Sequence, residues 1–145
     1  MTVTTAESCT GGLLAGTLVN VPGASEVFNE GYITYSNDAK QKFLGVKKKT
    51  LKNDGAVSEA CAAEMAKGAA KAAGSRAAVA VTGIAGPDGG TEEKPVGLVY
   101  IACCIDGNVK VESYHMNGDR QKIREITVKR ALDMLRRCIR QTEED

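Results

Sequence analysis

The segment Ser8-Cys9-Thr10 lies where a predicted strand ends and a predicted helix begins. β-Branched residues at 3–5 favour the strand, and the apolar pattern of residues 13–19 indicates the helix. Serine and threonine oxygens accept the unpaired N–H groups of a first helical turn, and the same N–H groups stabilise negative charge. This segment therefore either caps a helix or presents Ser8 as a nucleophile, although the G-x-S-x-G spacing of one class of serine enzymes is absent.

Three neighbours of Ser8 extend these two interpretations. Cys9 is an alternative nucleophile, because a helix N-terminus lowers the pKa of a thiol. Gly11 and Gly12 carry no side chain, so a ligand could approach the backbone closely at this turn. The turn thus combines two candidate nucleophiles with an open backbone.

A serine needs a proton acceptor before it can attack a carbonyl carbon, and the single histidine, His115, falls inside a predicted strand. Lys40 is the best remaining base. If Asn37 caps the next helix, Lys40 is its third residue, where the helix dipole disfavours a cation and burial would lower the pKa further. The alternative is an exposed helix lysine. Tyr35 could relay a proton or orient Lys40, or it could be a core aromatic residue sharing a strand face with Ile33.

A glycine-rich segment at residues 82–90 follows a predicted buried strand, where α/β sheets tend to bind their ligands. Its glycines allow backbone N–H groups to be directed at a phosphate or carboxylate. It has neither the Gly-Lys-Ser/Thr of a Walker loop nor the G-x-G-x-x-G of a dinucleotide site, so a tight connection is the alternative. Arg120 and Arg124, four residues apart at the start of the last predicted helix, either hold a phosphate or form a solvated helix end.

The elements that must position these residues follow from hydrophobic periodicity and turn signals. Strands are predicted at residues 3–5, 31–36, 77–82, 98–105 and 109–116, and helices at 13–19, 37–44, 58–73 and from 120 onwards. A lysine-rich segment at 47–52 is predicted to be a solvated turn. The order β-α-β-α-α-β-loop-β-β-α predicts one domain over residues 1–145, an α/β fold of the three-layer α/β/α sandwich type. Its mixed sheet contains an antiparallel hairpin at Asp106-Gly107.

The composition excludes several classes of protein. The net charge of +1 gives no field that would recruit nucleic acid or a membrane surface, and aromatic residues make up only 4% of the chain. No apolar run approaches the length expected of a membrane span, and the first residues do not have the charged-then-apolar pattern expected of a secretory signal. The five cysteines contain no C-x-x-C pair and are interpreted as reduced thiols of a cytoplasmic protein. We expect no metal site, since the acidic residues of the 82–97 loop are those of a solvated segment.

Three segments in the same order resemble the C-terminal domain of the competence- and damage-inducible protein A family. They are residues 6–12 (Ala-Glu-Ser-Cys-Thr-Gly-Gly), residues 34–40 (Thr-Tyr-Ser-Asn-Asp-Ala-Lys), and residues 83–90 with 94–97; residues 55–58 and 118–120 match as well. The resemblance spans essentially the whole chain. That family includes stand-alone nicotinamide mononucleotide deamidases, and its members usually carry a further helix before the first strand.

The resemblance implies hydrolysis of the nicotinamide carboxamide to nicotinate mononucleotide and ammonia, without a metal or cofactor. It implies Ser8 as the nucleophile, Lys40 as its base and Tyr35 as an assisting group. The substrate site would then include Thr10, Gly11, Gly12, Asn37, Thr82, Gly83, Ala85, Gly86 and Arg120, with Arg120 as the candidate phosphate partner. The alternative is a non-catalytic nucleotide-binding or regulatory module of the same fold. We expect a small pyridine mononucleotide as the partner, no nucleic acid or membrane, and a homo-oligomer.

Overall fold

The computed structural model describes residues 1–145, which build one five-stranded mixed sheet. The strands are β1 (Val3–Glu7), β2 (Tyr32–Ile33), β3 (Ala77–Gly83), β4 (Leu98–Ile105) and β5 (Asn108–His115). Their spatial order is β2-β1-β3-β4-β5. β1 pairs in parallel with β2 and β3, whereas β3 with β4 and β4 with β5 are antiparallel. The predicted mixed sheet and its hairpin at Asp106-Gly107 are confirmed.

Helices cover both faces of the sheet. They are α1 (Leu13–Leu18), α2 (Asn37–Leu44), α3 (Lys48–Asn53), α4 (Glu59–Ala73) and α5 (Arg120–Glu144). α1 and α5 pack on one face, around a core that includes Leu14, Val79 and Ile123. α4 packs on the other face and carries α2 and α3, around a core that includes Leu44 and Met65. The predicted three-layer α/β/α arrangement is confirmed. None of the helices has the length and apolar character needed to cross a membrane.

Small side chains bring α4 close to the sheet and α2 close to α4. β3 is a continuous buried run in which Ala78 and Ala80 face α4. On α4, the residue facing α2 is Gly68, where an added Cβ would lie 1.8 Å from the carbonyl oxygen of Leu44. Only glycine allows this approach, since real side chains never come so near a backbone oxygen. The contact fixes the position of α2, and α2 carries Lys40.

The segment between β2 and α2 differs from its prediction. The expected strand at 31–36 is reduced to Tyr32–Ile33, and after the Thr34 amide, which still donates to the Glu7 carbonyl of β1 at 2.8 Å, the chain leaves the sheet. Ser36, rather than Asn37, is the N-cap of α2, and its hydroxyl oxygen accepts a hydrogen bond from the amide of Ala39 at 3.0 Å. Lys40 is therefore the fourth helical residue instead of the third. Its side chain lies one residue further into the helix than the sequence predicted.

Two other helices also begin differently from expectation. Residues 48–53 form α3 rather than a solvated turn, because the Glu64 carboxylate of α4 accepts hydrogen bonds from the Lys47 amide at 2.9 Å and the Thr50 hydroxyl at 2.7 Å. α1 has Gly12 at its N-cap position, and no side chain of the Ser8-Cys9-Thr10 segment caps it. The carboxylate that accepts its first amides comes instead from Glu7 in β1.

Candidate active site

Ser8 is the first residue after β1 and lies at the carboxyl end of that strand. Its amide donates to the carbonyl oxygen of Val81 on β3 at 3.1 Å, and its carbonyl accepts from the amide of Gly11 at 3.1 Å. The residue is only 9% exposed. These bonds hold the hydroxyl at a corner between strand and turn.

Lys40 reaches this hydroxyl from α2. Its Nζ lies 3.0 Å from Ser8 Oγ, 2.8 Å from the carbonyl oxygen of Thr34 and 3.1 Å from the carbonyl oxygen of Tyr35. The side chain is 1% exposed, so the alternative of an exposed helix lysine is wrong. A neutral amine has two protons, which match the two carbonyls, and one lone pair, which is left for the hydroxyl proton of Ser8. The three partners therefore suit a neutral amine that accepts a proton from serine, and they equally suit an ammonium that donates to all three oxygens.

The environment of Lys40 favours this neutral form. Burial lowers the pKa of Lys40, because the ammonium loses its hydration, and the nearby Cys61 and Cys9 thiols have a smaller opposite effect. None of the ion pairs of the protein involves Lys40, so no carboxylate stabilises the charge. A lysine in such surroundings can act as a base closer to neutral pH than an exposed one.

Two other candidates for the chemistry do not suit it. The helix N-terminus was expected to lower the pKa of Cys9, but burial raises it to about 11, and the attraction of Arg124 is a smaller effect. Cys9 is therefore a protonated thiol at neutral pH and a poor nucleophile. His115 is exposed on β5, an edge strand, and does not line the pocket at Ser8.

A pocket of about 260 Å³ opens over Ser8 and Lys40. Five parts of the chain meet in it, namely the turn after β1, the start of α2, the 55–58 segment, the glycine-rich loop and the start of α5. Nine of the twelve predicted site residues line it: Ser8, Tyr35, Asn37, Lys40, Thr82, Gly83, Ala85, Gly86 and Arg120. Such a volume is near the lower end of those of small-molecule pockets.

The other three predicted residues, Thr10, Gly11 and Gly12, lie outside the pocket. Thr10 is fully buried, and its hydroxyl donates to Oε1 of Glu7 at 2.6 Å. Gly11 and Gly12 have positive φ angles of 57° and 105° and face other parts of the chain. These three residues were expected to contact the substrate, and the structure does not bring their side of the turn into the pocket. Glycine is needed here for the turn rather than for a ligand.

Tyr35 is exposed, so the alternative of a core aromatic residue does not apply. Its hydroxyl accepts a hydrogen bond from Arg120 at 3.2 Å and makes none with Ser8 or Lys40, which is contacted by the Tyr35 carbonyl instead. Arg120 also donates to the carbonyl oxygen of Gly86 at 2.8 Å. It therefore connects both sides of the pocket at its opening.

The glycine-rich loop is shaped for close packing beneath the pocket. An added Cβ at Gly83 would lie 2.6 Å from a methyl carbon of Val99, so a side chain there would have to displace β4. The hydroxyl of Thr82 donates to the carbonyl oxygen of Ala56 at 2.9 Å. This bond fixes the 55–58 segment as one wall of the pocket.

The family follows from the sequence as a whole. Residues 1–139 match the family model described as the CinA C-terminal domain. The chain belongs to this family. A competence-damage inducible protein of Clostridium perfringens is 65% identical over 137 residues, which is 94% of this chain and 33% of that protein. A CinA-like protein of Kosmotoga olearia is 56% identical over 139 residues, 96% of this chain and 34% of that protein. The chain thus spans about a third of the length of the curated relatives it matches.

Solved CinA structures have the same fold. The competence/damage inducible protein CihA from Agrobacterium tumefaciens has a TM-score of 0.90 and 50% identity, covering 93% of this chain and 83% of that one. The competence damage-inducible protein A (ComA) from Klebsiella pneumoniae has a TM-score of 0.90 and 39% identity, covering 92% and 83%.

Two residues near the CinA pocket were missed or misassigned by sequence reasoning. Glu7, adjacent to Ser8, accepts three hydrogen bonds although it was given no role. Arg124, expected to hold a phosphate or face solvent, donates to the carbonyl oxygens of Cys9 and Thr10, each at 2.9 Å. Neither contact follows a local spacing rule, because both depend on how distant elements pack. No group of three histidine, cysteine or acidic side chains is arranged to hold a metal ion.

Proposed function

We propose that this domain is an amidohydrolase in which Ser8 is the nucleophile and Lys40 its base, and that its substrate is the carboxamide of nicotinamide mononucleotide. The proposal depends above all on one observation, the buried Lys40 amine 3.0 Å from the Ser8 hydroxyl with no acidic partner. A buried amine next to a hydroxyl is an activated nucleophile of the Ser–Lys type. The resemblance of the three sequence segments to nicotinamide mononucleotide deamidases supports the choice of substrate.

In the first half of the reaction, Ser8 Oγ attacks the carboxamide carbon while its proton moves to the Lys40 amine. The C–O bond forms, and the carbonyl oxygen becomes an oxyanion. The Lys40 ammonium then gives its proton to the amide nitrogen, the C–N bond breaks, and ammonia leaves. The product of this half-reaction is an ester between Ser8 and the pyridine carboxyl group.

In the second half, a water molecule attacks the ester carbon, and Lys40 takes one of its protons. The ester C–O bond breaks, and that proton returns to Ser8 Oγ. The released product is nicotinate mononucleotide, and the enzyme is restored. The carbonyls of Thr34 and Tyr35 hold the amine in place through both halves.

The oxyanion needs donors, and the first amides of α1 are not free for that task. The amides of Leu14 and Ala15 donate to the Glu7 carboxylate at 2.7 and 3.1 Å. The amides of Cys9 and Thr10, which directly follow the nucleophile, donate to no oxygen atom of the protein. We assign the Cys9 amide to the oxyanion, because Cys9 lines the pocket whereas Thr10 does not, and a donor next to the nucleophile is the usual arrangement in acyl transfer.

The opening of the pocket suits the phosphate of the substrate. Arg120 lines it and uses its guanidinium on the oxygens of Gly86 and Tyr35, with further N–H groups left for a ligand. Arginine binds phosphate with directed, charge-assisted hydrogen bonds. With the pyridine carboxamide at Ser8, the phosphate would extend toward Arg120.

The test is ammonia release by the purified protein from nicotinamide mononucleotide, nicotinamide riboside and free nicotinamide. We expect release from the mononucleotide, weaker release from the riboside, and none of either activity in Ser8→Ala. Tight binding of the mononucleotide without release would show the non-catalytic nucleotide-binding module instead. Release only from some other small amide in a competition series would keep the Ser–Lys mechanism and replace the substrate.

A further inference from the structure

Glu7 is a fully buried carboxylate that the proposed reaction does not use. Its side chain is 0% exposed, and no lysine, arginine or histidine lies within ion-pair distance of it. A buried charge without a counterion is costly unless hydrogen bonds replace its hydration. Glu7 has three such bonds, from the Thr10 hydroxyl at 2.6 Å and from the amides of Leu14 at 2.7 Å and Ala15 at 3.1 Å.

These bonds connect the two ends of the turn that carries Ser8. Glu7 ends β1, whereas Leu14 and Ala15 are in the first turn of α1. Five residues, 8–12, lie between the strand and the helix, and Thr10 in their middle is bonded to the same carboxylate. One side chain therefore holds the strand, the turn and the helix together.

The side chains of Glu7 and Ser8 leave the chain on opposite sides. Glu7 reaches α1 on one face of the sheet, whereas Ser8 meets Lys40 of α2, which packs with α4 on the other face. Consecutive side chains at a strand end alternate in this way, so a change in the direction of one moves the other. Fixing the Glu7 carboxylate therefore fixes the direction of the Ser8 hydroxyl.

The main chain around Glu7 also reaches the base. The Glu7 carbonyl accepts from the Thr34 amide at 2.8 Å, and the Thr34 carbonyl accepts from Lys40 Nζ at 2.8 Å. The base is thus attached to the same strand end as the nucleophile. On the other side of the turn, Arg124 holds the carbonyls of Cys9 and Thr10.

We propose that Glu7 is a positioning residue whose buried carboxylate keeps the Ser8 hydroxyl within hydrogen-bond distance of Lys40 and keeps the turn amide of Cys9 in place for the oxyanion. This inference rests on the proposed function. It predicts a defect in the chemical step rather than in substrate binding, because Arg120 and the glycine-rich loop are not bonded to Glu7.

The test compares Glu7→Gln with Glu64→Gln. Glutamine keeps the size of Glu7 but replaces one of its two oxygens with an NH₂ group. Because an NH₂ group cannot accept hydrogen bonds, the bonds made by the replaced oxygen are lost whichever oxygen it is. Glu64 is the control, since its carboxylate likewise accepts from backbone and threonine donors at the start of a short helix, α3. It has one amide and one hydroxyl donor where Glu7 has two amides and one hydroxyl, and it bonds to neither Ser8 nor Lys40.

For Glu7→Gln we expect kcat to fall about 10- to 100-fold with KM unchanged within about twofold, since small misplacements of reacting groups cost that much. The pH at which kcat/KM levels off should stay that of the wild type, because Glu7 is not among the charges that act on Lys40. Glu64→Gln should keep kcat within about twofold of the wild type, even if its melting temperature falls as much as that of Glu7→Gln. Equal kcat values for the two variants would overturn the positioning role.

Thr10→Val and Thr10→Ser provide a second pair if Glu7→Gln does not fold. Valine removes only the hydroxyl that donates to Glu7, and serine keeps it. We expect Thr10→Val to lower kcat about 3- to 10-fold, in line with loss of one of the three bonds, and Thr10→Ser to restore it. A Thr10→Val enzyme with the wild-type kcat would contradict the proposal.

Labelling by a fluorophosphonate separates this inference from the choice of substrate. In that reaction the bond from Ser8 Oγ to phosphorus forms, the P–F bond breaks, fluoride leaves, and Lys40 takes the hydroxyl proton. If the wild type is labelled at Ser8 but releases no ammonia from the mononucleotide, the substrate is wrong, and about tenfold slower labelling of Glu7→Gln still supports the positioning role. If the wild type is neither labelled nor active, both the function and the positioning role fail.

Discussion

Replacing Lys40 with methionine removes the amine while filling the same buried space. Lys40 is the largest of the residues that are less than 2% exposed. Methionine has a side chain of similar length and carries no charge. Since a general base contributes about 10²- to 10⁴-fold to a rate, kcat/KM for ammonia release should fall by about that factor. The loss of activity alone would not show that the amine is neutral in the wild type.

The stability of the same pair of proteins tests that point. Burial lowers the pKa of Lys40 in the folded state, whereas the unfolded chain has the usual lysine value of about 10.4. Between these two values the unfolded state binds more protons, so the free energy of unfolding rises with pH by about 1.4 kcal/mol per pH unit. Below the folded pKa both states are protonated, and the destabilisation is complete. Each unit of pKa lowering therefore costs the wild type about 1.4 kcal/mol at low pH relative to Lys40→Met.

The assay is urea unfolding of the wild type and Lys40→Met from pH 6 to pH 10.5. Taking the difference between the two proteins removes most of the opposite effect of Cys9 and Cys61, whose pKa values burial raises to about 11, so that these thiols destabilise the fold as pH rises. The loss of the hydrogen bonds to Thr34 and Tyr35 adds a constant that does not change with pH.

We expect the stability of the wild type relative to Lys40→Met to increase with pH, starting at the same pH at which kcat/KM of the wild type levels off. Lys42→Met is the control, because Lys42 is exposed on the same helix and should give a difference that does not vary with pH. A Lys40→Met difference that is equally flat across this range would mean that Lys40 has an ordinary pKa. The base role would then be refuted.

Three further predictions concern the pocket. Ser8→Ala should lower kcat about 10³-fold or more and leave the melting temperature within a few degrees, as measured by ammonia release and calorimetry, because a small hydroxyl at a strand end contributes little to the core. Arg120→Ala should raise KM for the mononucleotide at least tenfold and change that for the riboside much less; equal increases would remove Arg120 from the phosphate role. Native Cys9 should resist iodoacetamide at pH 7.5 and react only on unfolding, since its thiol is buried and its pKa is about 11, so rapid alkylation followed by mass spectrometry would contradict the burial argument.

Most of the fold was predictable because its signals are local. The alanine-rich helix α4 has its Ser58 cap and Gly74 terminus where the sequence placed them, and the buried run of β3 and the Asp106-Gly107 hairpin also follow from short-range patterns. β2 was overestimated because its β-branched and aromatic residues favour a strand, whereas hydrogen bonds from Lys40 draw the carbonyls of Thr34 and Tyr35 away from the sheet. Such tertiary effects override local propensity.

The site was predictable for a different reason. Helix-dipole reasoning selected Lys40 as a candidate base, but it could not bring the amine to Ser8, since 32 residues separate them in the chain. The order of three sequence segments in a known family provided that link. The same family resemblance assigned Thr10 to the substrate, whereas the structure bonds it to Glu7, because adjacency to a nucleophile in sequence does not determine which face a side chain takes.

The arrangement of Lys40 is hard to explain as a structural device alone. An apolar side chain of equal size would fill the same space without losing the hydration of an ammonium, and a carboxylate partner would have offset that loss if stability were the only requirement. Instead the amine has two carbonyl acceptors and one hydroxyl, a set in which a neutral amine can donate to the carbonyls and accept from the hydroxyl. The cost in stability and the capacity to deprotonate Ser8 have the same origin, which is burial. A variant that removes the cost in stability should therefore also lose the capacity to deprotonate Ser8. Substitution of Lys40 should change stability and activity in opposite directions, whereas substitution of Lys42 should not.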